Sequence, residues 1–421
     1  MSEVMAVPKL RFKEFEGDWS TNKIEEISIV TSGGTPSRNV SDYWNGDIPW
    51  VTTSLVDFNV INEAEEFITQ VGLDNSSAKL FPKDTILMAM YGQGITRGKV
   101  AILGIDATTN QACAAIKLKN GFETKFIFQN LMNRYEEIRD LSNEGGQKNL
   151  SAGIIKEILI SFPEKEEQTK IASFLSNVDE KISQLTQKHE LLSQYKQGMM
   201  QKLFSQQIRF KADDGSEFGD WGKVKFSESF IFHNTNSYSR ALLSEVGEVM
   251  NIHYGDIHTK FSMLFDISKE IVPFLNDQID STKIAENQFL KEGDLVIADA
   301  SEDYKDIGKA IEVVHLNNQK IVAGLHTYIA RPVQPFALGF CGYLMQTFEV
   351  REQIKKLATG TSVLGISKTN IGKVEIKLPC LEEQTKIANF LSSIDQKIEV
   401  VAQQIEQAKQ WKKGLLQNMF V

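Results

Sequence analysis

The segment FPEKEEQTKIASFLSNVDEKISQLTQKHELLSQYKQGMMQKLFS, Phe162–Ser205, returns without a gap as LPCLEEQTKIANFLSSIDQKIEVVAQQIEQAKQWKKGLLQNMFV, Leu378–Val421, with about half of the positions identical. In the first copy Ile171, Val178, Leu185, Leu192 and Met199 recur at heptad spacing, with Leu175, Ile182 and Leu203 on the neighbouring seam. The second copy supplies Ile387, Ile394, Val401, Ala408, Leu415, Leu391, Ile398, Ile405 and Met419 in register. Pro163 and Pro379 suit a first helical turn, and Glu166, Glu167, Glu382 and Glu383 complement its positive end. The pattern predicts two helices of about forty residues, each roughly 60 Å long at 1.5 Å per residue. Neither seam is buried by its own helix, so the two copies are expected to pair antiparallel as a coiled coil.

Working outward, Arg11-Phe12-Lys13 with Gly17-Asp18-Trp19 recurs as Arg209-Phe210-Lys211 with Gly219-Asp220-Trp221. Each unit therefore reads RFK, GDW, body, helix, which divides the chain into 1–162, a helix at 163–205, 206–378 and a helix at 379–421. The bodies barely resemble each other in sequence yet share an order of elements. In the first, strand-like Thr85–Tyr91, Lys99–Ile105 and Gln111–Leu118 precede an amphipathic helix near Lys125–Leu141. In the second, Asp294–Ala300, Lys309–Leu316 and Ile321–Ala330 precede a helix near Phe336–Leu357. A glycine-containing turn (Gly145-Gly146-Gln147-Lys148-Asn149; Gly360-Thr361-Ser362) then leads to a last strand. Each body is thus expected to be a small α/β domain with a twisted sheet. Constant ends around divergent middles imply one shared assembly role and two separate recognition roles.

The loop Tyr91-Gly92-Gln93-Gly94-Ile95-Thr96-Arg97-Gly98-Lys99 combines glycines that admit a close ligand with side chains suited to base edges and phosphates. Gln93, Thr96, Arg97 and Lys99 are therefore candidate DNA contacts, although a tight hairpin alone also explains the glycines. Arg38, Tyr43, Trp44, Thr52, Thr53, Gln147, Lys148 and Asn149 are further candidates in the first body, with Trp44 and Trp50 also readable as core aromatics. The matching hairpin of the second body, Ser301-Glu302-Asp303-Tyr304-Lys305-Asp306, is acidic, so the two loops should read different bases. There the candidates are Tyr254, His258, Lys260, Tyr304, Lys305, His326, Thr361, Ser362 and Lys368.

With 42% hydrophobic and 24% charged residues, the 421-residue chain belongs among globular proteins of several domains. Its start lacks the basic-then-apolar pattern of a secretory signal and no apolar run is long enough to span a membrane, so a cytoplasmic location is expected. Cys113, Cys341 and Cys380 are isolated and are expected to be buried, reduced thiols rather than disulfides or zinc ligands. The nine prolines include no adjacent pair of the kind an amino-methyltransferase turn uses. Each Gly-Lys pair is followed by Val or Ala, so no phosphate loop is present. Glu375-Ile376-Lys377 matches the end of a nuclease motif, but it lies in an alternating strand. A self-contained DNA-modifying enzyme is the rival reading, and no catalytic centre supports it. The net charge of −9 predicts weak binding of duplex DNA by the chain alone, with a partner supplying positive surface.

The duplicated P-x-x-E-E-Q-T-K-I-A-x-F-L-S starts, the GDW openings, and GGTPSRNVSDYWNGDIPW, YGQGITRGKV and NIHYGDIHTKF resemble the specificity subunit of type I restriction-modification systems, over nearly the whole chain. The resemblance implies two target-recognition domains related by an approximate two-fold and joined by two long antiparallel coiled-coil helices. Each domain would read one half of a bipartite, asymmetric site in double-stranded DNA. It further implies two adenine methyltransferase subunits carrying S-adenosylmethionine and two restriction/translocase subunits carrying ATP and magnesium. A modification-only complex is compatible with the same residues. No cofactor, metal or catalytic residue is expected in this chain.

Overall fold

The computed structural model describes residues 7–92, 95–141 and 149–421. Two compact units emerge, Met1–Thr186 with Gln403–Val421 and Gln187–Ala402. The heptad segments form single helices, Lys165–Phe204 and Leu381–Met419. Ile171, Leu175, Val178 and Leu185 are buried in the first, and Ile387, Leu391, Ile394, Val401, Ile405 and Leu415 in the second. Ile182, Leu192, Met199 and Ile398 are half-buried.

Each body carries a five-stranded sheet with the same connectivity. The first orders Ser28–Ser32, Cys113–Leu118, Ile86–Ala89, Val100–Leu103 and Val60–Ile61, all antiparallel except the last pair. The second orders Phe230–His233, Thr327–Pro332, Leu295–Ala298, Ala310–His315 and Leu264–Asp266, again with only the last pair parallel. A smaller sheet accompanies each, in which Trp44–Val51 runs parallel to Thr108–Thr109 and Met250–Ile252 runs parallel to Ile321–Ala323. The central strands are buried on both faces, which explains why they read as unbroken apolar runs rather than alternating ones.

The structure corrects several expectations. The helix near Lys125–Leu141 is two, Thr124–Asn133 and Tyr135–Asp140, broken at Arg134, whose guanidinium binds Glu137 and the Leu159 carbonyl. The helix near Phe336–Leu357 begins later and is also split, into Phe340–Met345 and Phe348–Leu357, with Thr347 extended between them. Ile321–Ala330 is two strands in different sheets, parted at Gly324–His326. Short helices Ala152–Glu157 and Lys368–Gly372, each capped by a serine side chain (Ser151, Ser367), precede the last strands and were not expected. Cys113 and Cys341 are buried, and burial pushes the Cys113 thiol up to about 12; Cys380 is exposed, contrary to expectation, because it lies just before helix Leu381–Met419, outside the apolar seam.

The constant ends have a physical reason. In the first unit the Arg11 guanidinium grips buried Glu167 at 2.8 and 2.7 Å and also donates to the Gly17 carbonyl. Arg209 grips Glu383 at 3.0 and 2.8 Å and donates to the Gly219 carbonyl. The next residue of the motif is a second clasp. Gln168 donates to the Pro163 carbonyl and accepts from the Glu123 amide, as Gln384 does with Pro379 and Ala337. RFK, GDW and EEQ therefore form one lock that fixes the long helix to its own body in each unit. Charge-assisted, two-pronged bonds of this kind are geometrically exacting, which favours the same residue types in both copies.

Candidate nucleic-acid interface

In the first body the candidates fall on two neighbouring loop systems. The Arg38 guanidinium stacks over Trp44, 3.6 Å from the ring centroid, and Trp44 meets Trp50 edge-on at 5.1 Å. Glu66 binds the same guanidinium, raising the Arg38 pKa and lowering its own. Arg38 is still about half exposed (52%), so it is a preset, planar donor at the surface. Trp50 is a core aromatic, and its indole donates to the Gly34 carbonyl. Tyr43 sits in the short turn before strand Trp44–Val51; Thr52 and Thr53 follow that strand, with the Thr52 hydroxyl bonded to Ser54.

The glycine loop closes with the Gly98 backbone at φ +85°, a conformation that favours glycine. Lys99 is largely buried and paired with Asp57, and Arg97 is buried as well, whereas Thr96 is half-buried. Asn149 precedes Leu150, whose amide bonds the Met90 carbonyl, so Asn149 lies beside this loop. Gln93, Gln147 and Lys148 lie outside the described residues.

The second body brings more of its candidates together. Buried Asp256 accepts from Lys260 at 2.9 Å and from Arg240 at 3.1 Å, while Arg240 also reaches His253 at 3.3 Å. Burial, then the Arg240 charge, lowers the His253 pKa, which leaves its Nδ1 free to accept the Gly255 amide. The Tyr254 ring meets His326 at 5.3 Å and His258 at 6.2 Å. His258 Nε2 lies 2.9 Å from the Ala300 carbonyl, and His326 Nδ1 lies 3.2 Å from Asp299. The Tyr328 hydroxyl is pushed up to about 12 by burial and by Asp299; Lys368 lies 5.2 Å from the Tyr328 ring centroid and donates to Asn234. Exposed Tyr304 and Lys305 occupy the acidic hairpin, and exposed Thr361 and Ser362 the turn beside Gly360.

Arg240 and Tyr328 were missed. Arg240 had a weak signal, a lone cation in the polar run Asn234–Arg240; Tyr328 had none, because it reads as an ordinary strand residue. Among the described residues no group of His, Cys, Asp and Glu could hold a metal ion, and no helix is long and apolar enough to cross a membrane.

The family described as type I restriction modification DNA specificity domain matches twice, at residues 16–194 and 220–410. The chain belongs to that family. Its match to the MjaVIII specificity subunit of Methanocaldococcus jannaschii is 25% identical and covers 96% of this chain and 94% of that one. The MjaIX specificity subunit of the same organism is 33% identical over 42% of this chain, and the match spans only 41% of that relative. The EcoR124I/EcoR124II specificity subunit of Escherichia coli is 30% identical over 42% of this chain and 45% of its own length. The fold is that of solved specificity subunits. The S subunit from M. genitalium superposes with a TM-score of 0.58 at 15% identity over 98% of this chain and 99% of that one. The HsdS subunit from Thermoanaerobacter tengcongensis gives 0.52 at 16% over 97% and 98%. The family role is DNA target recognition as a specificity subunit, distinct from the catalytic subunits of a restriction-modification complex.

Proposed function

We propose that each body reads one half of a bipartite, asymmetric site in double-stranded DNA, and that the two long helices pair antiparallel, set the gap between the halves and dock the catalytic partners. The observation that carries this reading is one sheet built twice, with unlike polar groups at its loop ends: Arg38 on Trp44 in one body, Tyr254 with His326 and Asp299 in the other. Identical scaffolds with different polar groups at their rims are suited to reading different bases. Two adenine methyltransferase subunits would bring S-adenosylmethionine, and two restriction/translocase subunits ATP and magnesium, in a cytoplasmic complex. The net charge of −9 fits a chain whose partners supply much of the phosphate-binding surface.

Exchanging Ser20–Ile160 for the matching region of a relative tests the reading: methylome sequencing should show one half-site replaced and the other unchanged. Alteration of both halves by a folded chimera would overturn it. The ruler role is tested separately by inserting a copy of Val178–Gln184, which keeps the heptad and adds about 10 Å. Duplex DNA rises 3.4 Å per base pair, so this equals about three base pairs, reduced to about one or two by groove rotation and by the unmatched partner helix. An active complex with an unaltered gap would refute the ruler.

A further inference from the structure

We propose that His326 is a base-reading residue of the second body, held by Asp299 so that its outward Nε2 accepts a hydrogen bond from an exocyclic base amine, adenine N6 or cytosine N4. This rests on the reading of the second body as a DNA reader. His326 occupies the left-handed region at φ +57°, uncommon for a residue with a side chain and often a mark of function. Two bonds hold it there: the Asp299 amide donates to the His326 carbonyl at 3.1 Å, and the His326 ring reaches the Asp299 carboxylate at 3.2 Å. Asp299 is itself anchored, since its carbonyl accepts the Ile366 amide at 2.9 Å, and the Tyr328 hydroxyl bonds its carboxylate.

A carboxylate only accepts, so Nδ1 carries the proton, and Nε2 of the neutral ring is an acceptor. Tyr254 packs edge-on at 5.3 Å and limits ring rotation, yet the side chain stays 49% exposed. The surroundings are those of a base reader rather than a phosphate contact. Arg240 and Lys260, more than half exposed, converge on Asp256 beside Tyr254, and Lys368 lies against Tyr328. Cations suited to phosphates thus flank a ring nitrogen suited to a base edge.

The test uses the assembled complex, with methylome sequencing and competition binding against sites altered one base at a time. His326→Gly removes the ring while easing the left-handed backbone, so folding is protected. It should relax one position of the second half-site, with discrimination there falling about tenfold or more, and leave the first half-site intact. In Asp299→Asn the amide oxygen serves Tyr328 and its N–H₂ faces Nδ1. The ring tautomer then inverts, Nε2 becomes a donor, and preference at the same position should move toward guanine or thymine. An unchanged motif in His326→Gly, or a loss of binding uniform across all base changes, overturns the assignment. A parent complex with no bipartite motif would instead sink the broader reading, so the two failures are distinguishable.

Discussion

Ile102 in the first body and Glu312 in the second occupy the same place in the same sheet. Each sits opposite the opening residue of the central strand, Ile86 or Leu295, and beside the parallel edge strand at Val60 or Leu264. Both are buried, at 4% and 1% exposure, yet one is a hydrocarbon and the other a carboxyl group. The carboxyl is tolerated because its two oxygens accept the Gly339 and Gly342 amides at 2.8 and 2.6 Å, at the start of helix Phe340–Met345. The left-handed Gly339 (φ +88°) and the close approach at Gly342, where a Cβ would lie 2.8 Å from Leu264, give it room. The pair teaches that topology is specified by burial and connectivity, whereas the means of satisfying a position varies freely between copies. The locks at the domain ends vary far less, with Arg11–Glu167 and Arg209–Glu383 built from the same residue types.

The largest effect is expected at the locks. Glu383→Ala removes a buried carboxylate, leaves the half-buried Arg209 without that partner, and also removes the partner of the Trp221 indole, which donates to Glu383 at 3.0 Å. Breaking a fully buried pair by removing one member costs about 3–5 kcal/mol, and the partial exposure of Arg209 places the loss at about 3 kcal/mol or somewhat above once the indole bond is included. Glu167→Ala should cost less, because among the described residues the Trp19 indole nitrogen has no hydrogen-bond partner to lose. Chemical denaturation of the two variants measures the order, and equal losses would show that the tryptophan bond contributes nothing.

Glu312 comes next. Burial raises its carboxyl to about 7, against the amide bonds that lower it. Its folded value lies above the ordinary glutamate value of 4.5, so the unfolded chain ionises first as pH rises. The contribution of Glu312 to stability should therefore be fullest below about pH 4.5 and fall toward about pH 7, by on the order of 3 kcal/mol, a shift of one pKa unit being worth about 1.4 kcal/mol. Glu312→Gln keeps the shape and removes the titration, so the difference between parent and variant melts across that window isolates it. A parallel pH dependence in both proteins would exclude Glu312 as its source. Ile102 predicts no such component from the first body.

Much of this was legible in advance, and the boundary is physical. The long helices, the heptad residues and the central strands follow from periodicity and apolar runs, which are properties of neighbouring residues. The break at Arg134 depends on the Leu159 carbonyl, and the parting of Ile321–Ala330 depends on two different sheets, so neither is encoded locally. The interface networks are still less local. Arg240 meets Asp256, and Lys368 meets Tyr328, only because distant segments end at one rim. The lock between Arg11 and Glu167 was visible as a repeat but not as a bond, since recurrence reveals that residues matter without revealing what they touch.

The smallest effect concerns a pair that the repeat makes equivalent. Asp179 bonds Lys412 in the first unit and Asp395 bonds Lys196 in the second, both at 2.5 Å. The helix repeat carries Asp179 onto Asp395 and Lys196 onto Lys412, so these are one interaction occurring twice. Their surroundings differ: the buried Tyr343 hydroxyl donates to Asp395 at 2.6 Å, whereas among the described residues no tyrosine bonds Asp179. Burial and Asp395 together hold the Tyr343 hydroxyl well above its ordinary pKa, so it stays a donor throughout the working range. Asp179→Ala should then cost only what a partly exposed ion pair is worth, about 0.2–1 kcal/mol. Asp395→Ala also leaves a buried hydroxyl unpaired, which adds about 1–3 kcal/mol. Tyr343→Phe separates the contributions: in that background Asp395→Ala should shrink to the size of Asp179→Ala. A cycle in which the Asp395 cost is unchanged by Tyr343→Phe would mean that the ion pair, and not the tyrosine, makes the two copies unequal.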